Sequence, residues 1–314
     1  MSADTKASLD VLELRNAHIH LRSASSVFNK QGGFSESGEG AADFPVLECV
    51  TEHCYAVIAL QGAQLLSFRP TGKSEVLWLS PLAKFSLGDA VRGGIPICLP
   101  WFGVNRHQAD LPKHGIARTQ LWTLGDVQQA DDGIIRLCFT FRSSDNDLAL
   151  YPYPVSAELT VELGEELGMS LQVANEGDEP MPLSFALHSY FSVSDVQQVS
   201  IAGIDGRDYL DNCQDLSRCV QSEPLTFNGE IDRVYEAVGG RQVIHDDERD
   251  VYIDGEGCDT VVVWNPGAVL AGKMADVGPH YQRYVCVERG MAFGDELMLA
   301  AGSEATANMR LSTD

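Results

Sequence analysis

Residues 182–193 read Pro-Leu-Ser-Phe-Ala-Leu-His-Ser-Tyr-Phe-Ser-Val. Side chains of a strand point alternately to its two faces, so this stretch divides into two sets. Leu183, Phe185, Leu187, Phe191 and Val193 form a core face. Ser184, Ala186, His188 and Tyr190 form the other, where small residues leave room beside an imidazole and a phenol. A histidine on a strand is commonly a core residue whose ring bonds a nearby carbonyl. Here the room beside it also suits a ligand, and the rest of the chain decides between the two.

The rest of the chain is β-rich. Tyr55–Leu60 and Gln64–Phe68 flank a Gln-Gly-Ala corner. Ile134–Arg142, Thr260–Trp264 and Glu304–Leu311 have strand character, and Ser156–Leu163 with Met169–Ala174 predict a hairpin around a five-residue loop, 164–168. Only Asp276–Tyr284 suggests a short helix. Residues 31–42 are rich in Gly, Ser and Glu and read as a loop. There is no internal repeat and no dividing linker, so an all-β, sandwich-like single domain is expected over residues 21–314, preceded by a loose tail at 1–20.

Twenty-two Lys and Arg against 45 Asp and Glu give a net charge of −23. Such a field repels nucleic acid and anionic membranes, so neither is an expected partner. An anionic small molecule would need a local cluster of cations. No apolar run reaches the roughly 18 residues of a bilayer span, and the N-terminus lacks the apolar core of a signal peptide. The eight cysteines form no C-x-x-C pair and several lie in apolar runs; they read as buried thiols, and the expected location is the cytoplasm. His18-Ile-His20 has a spacing that can bind metal, but no further ligands cluster with it. A metal-dependent β-barrel enzyme built on that pair is the alternative it would support.

Three further stretches carry chemistry. Arg92-Gly-Gly-Ile-Pro-Ile-Cys-Leu-Pro-Trp-Phe-Gly103 presents a guanidinium fork followed by two glycines, which would let backbone approach a ligand. Lys113-His114-Gly-Ile-Ala-Arg118 sets a histidine and a second arginine among small and apolar neighbours. Tyr284-Val-Cys-Val-Glu288 ends an apolar strand on a carboxylate, which is costly unless paired or used. Taken singly, each has a structural explanation.

As an ordered set, RGGIPICLPWFG, HGIAR, LHSYF, GRDYLD (206–211), WNPG (264–267), MADV and YVCVE resemble the hexose-6-phosphate mutarotases, or glucose-6-phosphate 1-epimerases, of the aldose 1-epimerase superfamily, over roughly residues 45–310. The resemblance implies a galactose-mutarotase-like β-supersandwich with a cleft on one broad face. It implies His188 as general acid and Glu288 as general base. It makes Arg92, Arg118 and Asp211 substrate-holding residues, with His114 lining the cleft. Three positions depart from the pattern: Thr119 stands for an amide, Asn212 for a lysine and Arg289 for a proline. The implied reaction opens the sugar ring by taking the C1 hydroxyl proton and protonating the ring oxygen, with the imidazole and carboxylate expected on opposite sides of the ring. It needs no cofactor, and the chain has neither a Walker loop nor a G-x-G-x-x-G motif. The expected partner is a small sugar phosphate. A mutarotase for unphosphorylated aldoses and a non-catalytic sugar-binding module are the alternatives on the same fold.

Overall fold

The computed structural model describes residues 14–28, 44–105 and 108–314, and nearly all of its regular structure is antiparallel sheet. The loop expected at 31–42 and most of the expected tail lie outside the described residues. The chain joins the sheet earlier than expected. His18–Ser23 is a strand paired with Pro45–Val50, so residues 18–20 belong to the domain and not to a tail.

Two large sheets face each other. One has nine strands and is carried by a meander: Thr123–Gln129, Ile135–Arg142, Val155–Leu163 and Leu167–Asn175, continued by Glu304–Thr313, Asp250–Glu256 and Gly240–His245. The other has eight strands. Its centre is Ile231–Tyr235, Thr260–Asn265 and Tyr284–Met291, flanked by Phe185–Leu187 and Ile97–Cys98. A four-stranded meander from His18–Ser23 to Leu65–Pro70 closes one end. The core between the sheets follows from strand alternation: Ile135, Leu137, Phe139, Leu159, Val161, Leu171 and Leu311 from the first sheet meet Leu187, Val261, Val263, Val285 and Val287 from the second. Each such side chain removed from water contributes roughly 1.5–3 kcal/mol.

Several elements differ from the sequence reading. The hairpin loop is shorter, with Val155–Leu163 and Leu167–Asn175 paired up to Leu163↔Leu167. Gly278–Arg283 is a 3-10 turn. Glu288 lies in the interior of Tyr284–Met291, not at the strand's end. The stretch 182–193 is three short strands: Met181–Leu183, Phe185–Leu187 and Tyr190–Ser192. Its core face is nonetheless as expected, since Leu183, Phe185, Leu187, Phe191 and Val193 are all buried in the main core.

Candidate active site

The break in that stretch builds the site. Leu187 pairs with Arg289 and Tyr190 with Cys286, so the register is unchanged across the gap. His188 therefore stands opposite Glu288. On its other edge the register of Ala186 with Cys98 and Leu187 with Ile97 runs on past the strand's end, the His188 amide donating to the Pro96 carbonyl at 3.0 Å and that of Tyr190 to Gly94 at 2.9 Å. The Arg-Gly-Gly-Ile-Pro stretch thus serves as the edge that catches the broken strand. Its glycines are required by protein packing and not by a ligand: a Cβ at Gly94 would sit 2.1 Å from the Leu65 carbonyl oxygen, and one at Gly93 would sit 2.5 Å from that of Trp78. This corrects the expectation that they admit a ligand to the backbone.

Cross-strand register lays the other side chains out in two rows. Val234 pairs with Val262, which pairs with Glu288, opposite His188. One step along, Asp232 pairs with Trp264, Trp264 with Cys286 and Cys286 with Tyr190. Successive residues of a strand face opposite ways, so these rows share one face while Val261, Val263, Val285 and Val287 enter the core. His188, Asp232, Val234, Val262, Trp264 and Glu288 of these rows floor a cleft of about 770 Å³, whose walls include Arg92, Phe102, Lys113, His114, Asn212, Glu230 and Phe293, while Cys286 and Tyr190 are buried and do not line it.

The His188 ring is fixed on three sides. It stacks on Tyr190 at 4.7 Å and 3°, meets the edge of Trp264 at 6.1 Å and lies 5.5 Å from the His114 ring. His188 Nδ1 is 3.3 Å from Glu288 Oε1, but the angle makes no hydrogen bond, and neither His188 Nδ1 nor Glu288 Oε2 has a hydrogen-bond partner. Two buried polar atoms left unmatched are costly in a folded core, and their position in a cleft floor marks them as ligand-facing. Burial pushes the Glu288 carboxyl well above its ordinary 4.5, with the Asp232 carboxylate adding to the shift and Arg118 opposing it. Burial holds His188 well below 6.5, helped by His114, Arg92 and Arg118. Both shifts disfavour charge, the carboxyl being held toward its protonated form and the imidazole toward its neutral one.

The two groups are neighbours on one face of the sheet, 3.3 Å apart, and do not face each other across an open space as expected.

The remaining candidates divide. Arg92 reaches the cleft, with Nε donating to Asp276 at 2.9 Å and Nη1 to the Tyr190 hydroxyl at 2.9 Å. His114 lines the cleft in a left-handed conformation (φ 67°), and burial with nearby cations lowers its pKa to about 3. Its Nδ1 accepts from the Gly103 amide at 3.3 Å. Arg118 is not among the cleft-lining residues; its Nη2 donates to the Lys113 carbonyl at 2.8 Å, so it braces the loop from behind. Asp211 does not line the cleft either. Its carboxylate accepts from the Cys213 amide and the Gln214 side chain, capping its own turn. The cleft carboxylates that the sequence reading missed are Asp232, which accepts from Asn212 Nδ2 at 2.7 Å, Glu230 and Glu296. It also missed Lys113, which lines the cleft and makes no ion pair among the described residues. His18 and His20 stack on each other, exposed on their strand, and among the described residues no third donor joins them.

A β-supersandwich holding an imidazole and a carboxyl side by side in the floor of an open, aromatic-walled cleft is equipped to move protons on a small bound molecule. The sequence profile of the aldose 1-epimerase family matches residues 46–312, and the chain belongs to that family. It is an isomerase by that membership. It is similar to proteins provisionally named glucose-6-phosphate 1-epimerase from Salmonella typhimurium (37% identical, 74% of this chain and 78% of that one) and Escherichia coli K12 (36%, 76% and 80%). A relative in Cenchrus ciliaris with the same provisional name is 34% identical over 83% of this chain and 82% of its own. Among solved structures, a provisionally assigned mutarotase from Salmonella typhimurium superposes with a TM-score of 0.81, at 30% identity, covering 91% of this chain and 99% of that one. A galactose mutarotase-like protein from Clostridium acetobutylicum, at 14% identity and TM-score 0.69 over 95% of this chain and 99% of its own, shares the fold.

Proposed function

We propose that this protein interconverts the α and β anomers of a hexose 6-phosphate, with glucose 6-phosphate as the substrate the relatives' names favour. The observation that carries the reading is the unbonded His188–Glu288 pair, which offers a proton to a ligand in the cleft. One partner takes the proton from the C1 hydroxyl while the other gives a proton to the ring oxygen. C1 then rotates in the open chain, and the reverse transfers close the ring on the other face. His188 acts as acid and Glu288 as base once the carboxyl proton crosses to the imidazole. Sugar hydroxyls donating to the carboxylate favour that transfer, since hydrogen bonds to a charged form stabilise it. A positioned acid or base contributes about 10²- to 10⁴-fold. Trp264, Phe102 and Phe293 supply the apolar walls against which a sugar ring stacks.

A hexose phosphate carries nearly two negative charges at neutral pH, its second pKa being near 6. Against a net charge of −23 it needs cations within the screening length of about 8 Å. Lys113 is placed to supply one, and it compensates for the lysine that Asn212 replaces. The test is the ratio of kcat/KM for glucose 6-phosphate over glucose. Lys113→Ala should lower it by roughly 10- to 100-fold, the worth of one charge-assisted contact of about 1.5–3 kcal/mol. A wild-type ratio near one would move the reading to a plain aldose mutarotase. A large ratio untouched by Lys113→Ala would place the phosphate elsewhere.

A further inference from the structure

Beside the cleft floor, buried and outside the cleft lining, lies a third donor that the proton-transfer reading does not use. Cys286 precedes Glu288 by two residues on the same strand face and pairs across the sheet with Tyr190. One donor atom each from His188, Cys286 and Glu288 lies within 4.8 Å of the others, and all three residues are buried. We propose that His188, Cys286 and Glu288 form a three-ligand site for a thiophilic divalent cation, Zn²⁺ or an ion like it, which competes with the sugar and inhibits the enzyme.

The geometry supports this choice. Zinc bonds to imidazole nitrogen and carboxylate oxygen are about 2.0–2.2 Å, so the edge between two such donors in a tetrahedron is roughly 3.3–3.5 Å. The observed separation of His188 Nδ1 and Glu288 Oε1 is 3.3 Å. A nitrogen–sulfur edge in the same tetrahedron is about 3.5 Å, given a zinc–sulfur bond near 2.3 Å. The thiol therefore needs to close at most about 1.3 Å. Two of the candidate ligand groups, His188 and Glu288, carry atoms with no hydrogen-bond partner, so no bond there has to be broken for the cation to enter. Three protein ligands leave the fourth position open toward the cleft, the arrangement of a zinc site accessible to small molecules. Nitrogen, sulfur and carboxylate together favour zinc over magnesium or calcium, which prefer oxygen alone. Binding displaces the thiol proton and the carboxyl proton into solvent, so affinity rises with pH. A cation held there engages both proton-transfer groups at once.

Only the kinetic consequence rests on the proposed mutarotase reaction; the site itself does not. The test is titration of the purified full chain with Co²⁺ under anaerobic conditions, read by absorption. One equivalent should give the visible bands of tetrahedral cobalt with a sulfur-to-cobalt charge-transfer band, displaced by Zn²⁺. Cys286→Ser should remove the charge-transfer band, and Cys213→Ser, which removes the exposed thiol, should keep it. Should Cys286→Ser not fold, His188→Asn should abolish the tetrahedral spectrum with the thiol still in place. Zn²⁺ inhibition of anomer exchange should be competitive with sugar and weaken roughly 100-fold or more in Cys286→Ser, since loss of even an outer-shell partner costs 10- to 100-fold. No charge-transfer band in the wild type, or a band that survives loss of Cys286 or His188, overturns the proposal. If the protein binds cobalt as described yet exchanges no anomers, the site stands and the mutarotase reading falls.

Discussion

At the scale of the residue, function and stability pull against each other at Glu288. The carboxyl is buried and its folded pKa is raised, so it favours folding below the ordinary pKa of 4.5 and loses that contribution as pH rises toward the folded value. Glu288→Gln removes the titration. Urea midpoints should show the variant gaining on wild type by up to about 1.4 kcal/mol per pH unit above 4.5, with no such gain below it. A constant difference from pH 4 to pH 8 would show that the group is not held protonated. Arg118 acts on the same pair through its charge, lowering both the Glu288 carboxyl and the His188 imidazole from outside the cleft. Profiles of kcat/KM against pH should be bell-shaped, with limbs that belong to the pair. Arg118→Gln should move both limbs to higher pH with little change in the preference for phosphate. Fixed limbs with a large rise in KM would instead make Arg118 a direct ligand of the substrate.

At the scale of the element, the face that each strand turns to the core was legible from alternation, and the long-range register was not. Both faces of 182–193 followed from the sequence, but nothing local says that His188 stands opposite Glu288; that depends on strands a hundred residues apart. The same limit applies to Asp211 and Asp232. Asp211 sits in a matching motif, yet its carboxylate is turned into its own chain, while Asp232 reaches the cleft from the next strand. The only local signal for Asp232 was its alternation within Ile231–Tyr235. Asp211→Ala should therefore cost about 1 kcal/mol of stability, as the loss of a cap does, and leave KM nearly unchanged. Asp232→Asn should alter the pH profile without that loss. Thermal melts and steady-state kinetics on both variants separate the roles, and a KM effect confined to Asp211 would reverse them. Gly115 carries a stricter demand. It adopts φ 73° and a Cβ there would sit 2.0 Å from the Leu99 carbonyl oxygen, so Gly115→Ala should displace the loop bearing Lys113 and His114 and cost on the order of 1–3 kcal/mol.

At the scale of the whole molecule, one sheet supplies the chemistry and the other supports it. The nine-stranded sheet buries the core face of the eight-stranded one, where the buried Arg289 bonds Gln242 across the layers at 2.6 Å, and the opposite face is left to carry the groups of the cleft. Strand patterning along the chain pointed to an all-β domain, and the net charge of −23 to a need for local cations. Neither said which cation of the 113–118 loop joins Arg92 in lining the cleft, because Lys113 and Arg118 lie in one short loop and only its folded path decides which side chain faces inward. Among the described residues no helix is long and apolar enough to cross a membrane. The central claim is that His188 and Glu288 act as one proton-transfer unit on a hexose phosphate, and NMR exchange between the anomers of glucose 6-phosphate tests it most directly. Wild-type protein in catalytic amount should accelerate exchange. His188→Ala and Glu288→Gln should each abolish nearly all of that acceleration, and the double variant should be little worse than either, because groups that act together lose activity non-additively. Full acceleration in either single variant, or none in the wild type, would contradict the account.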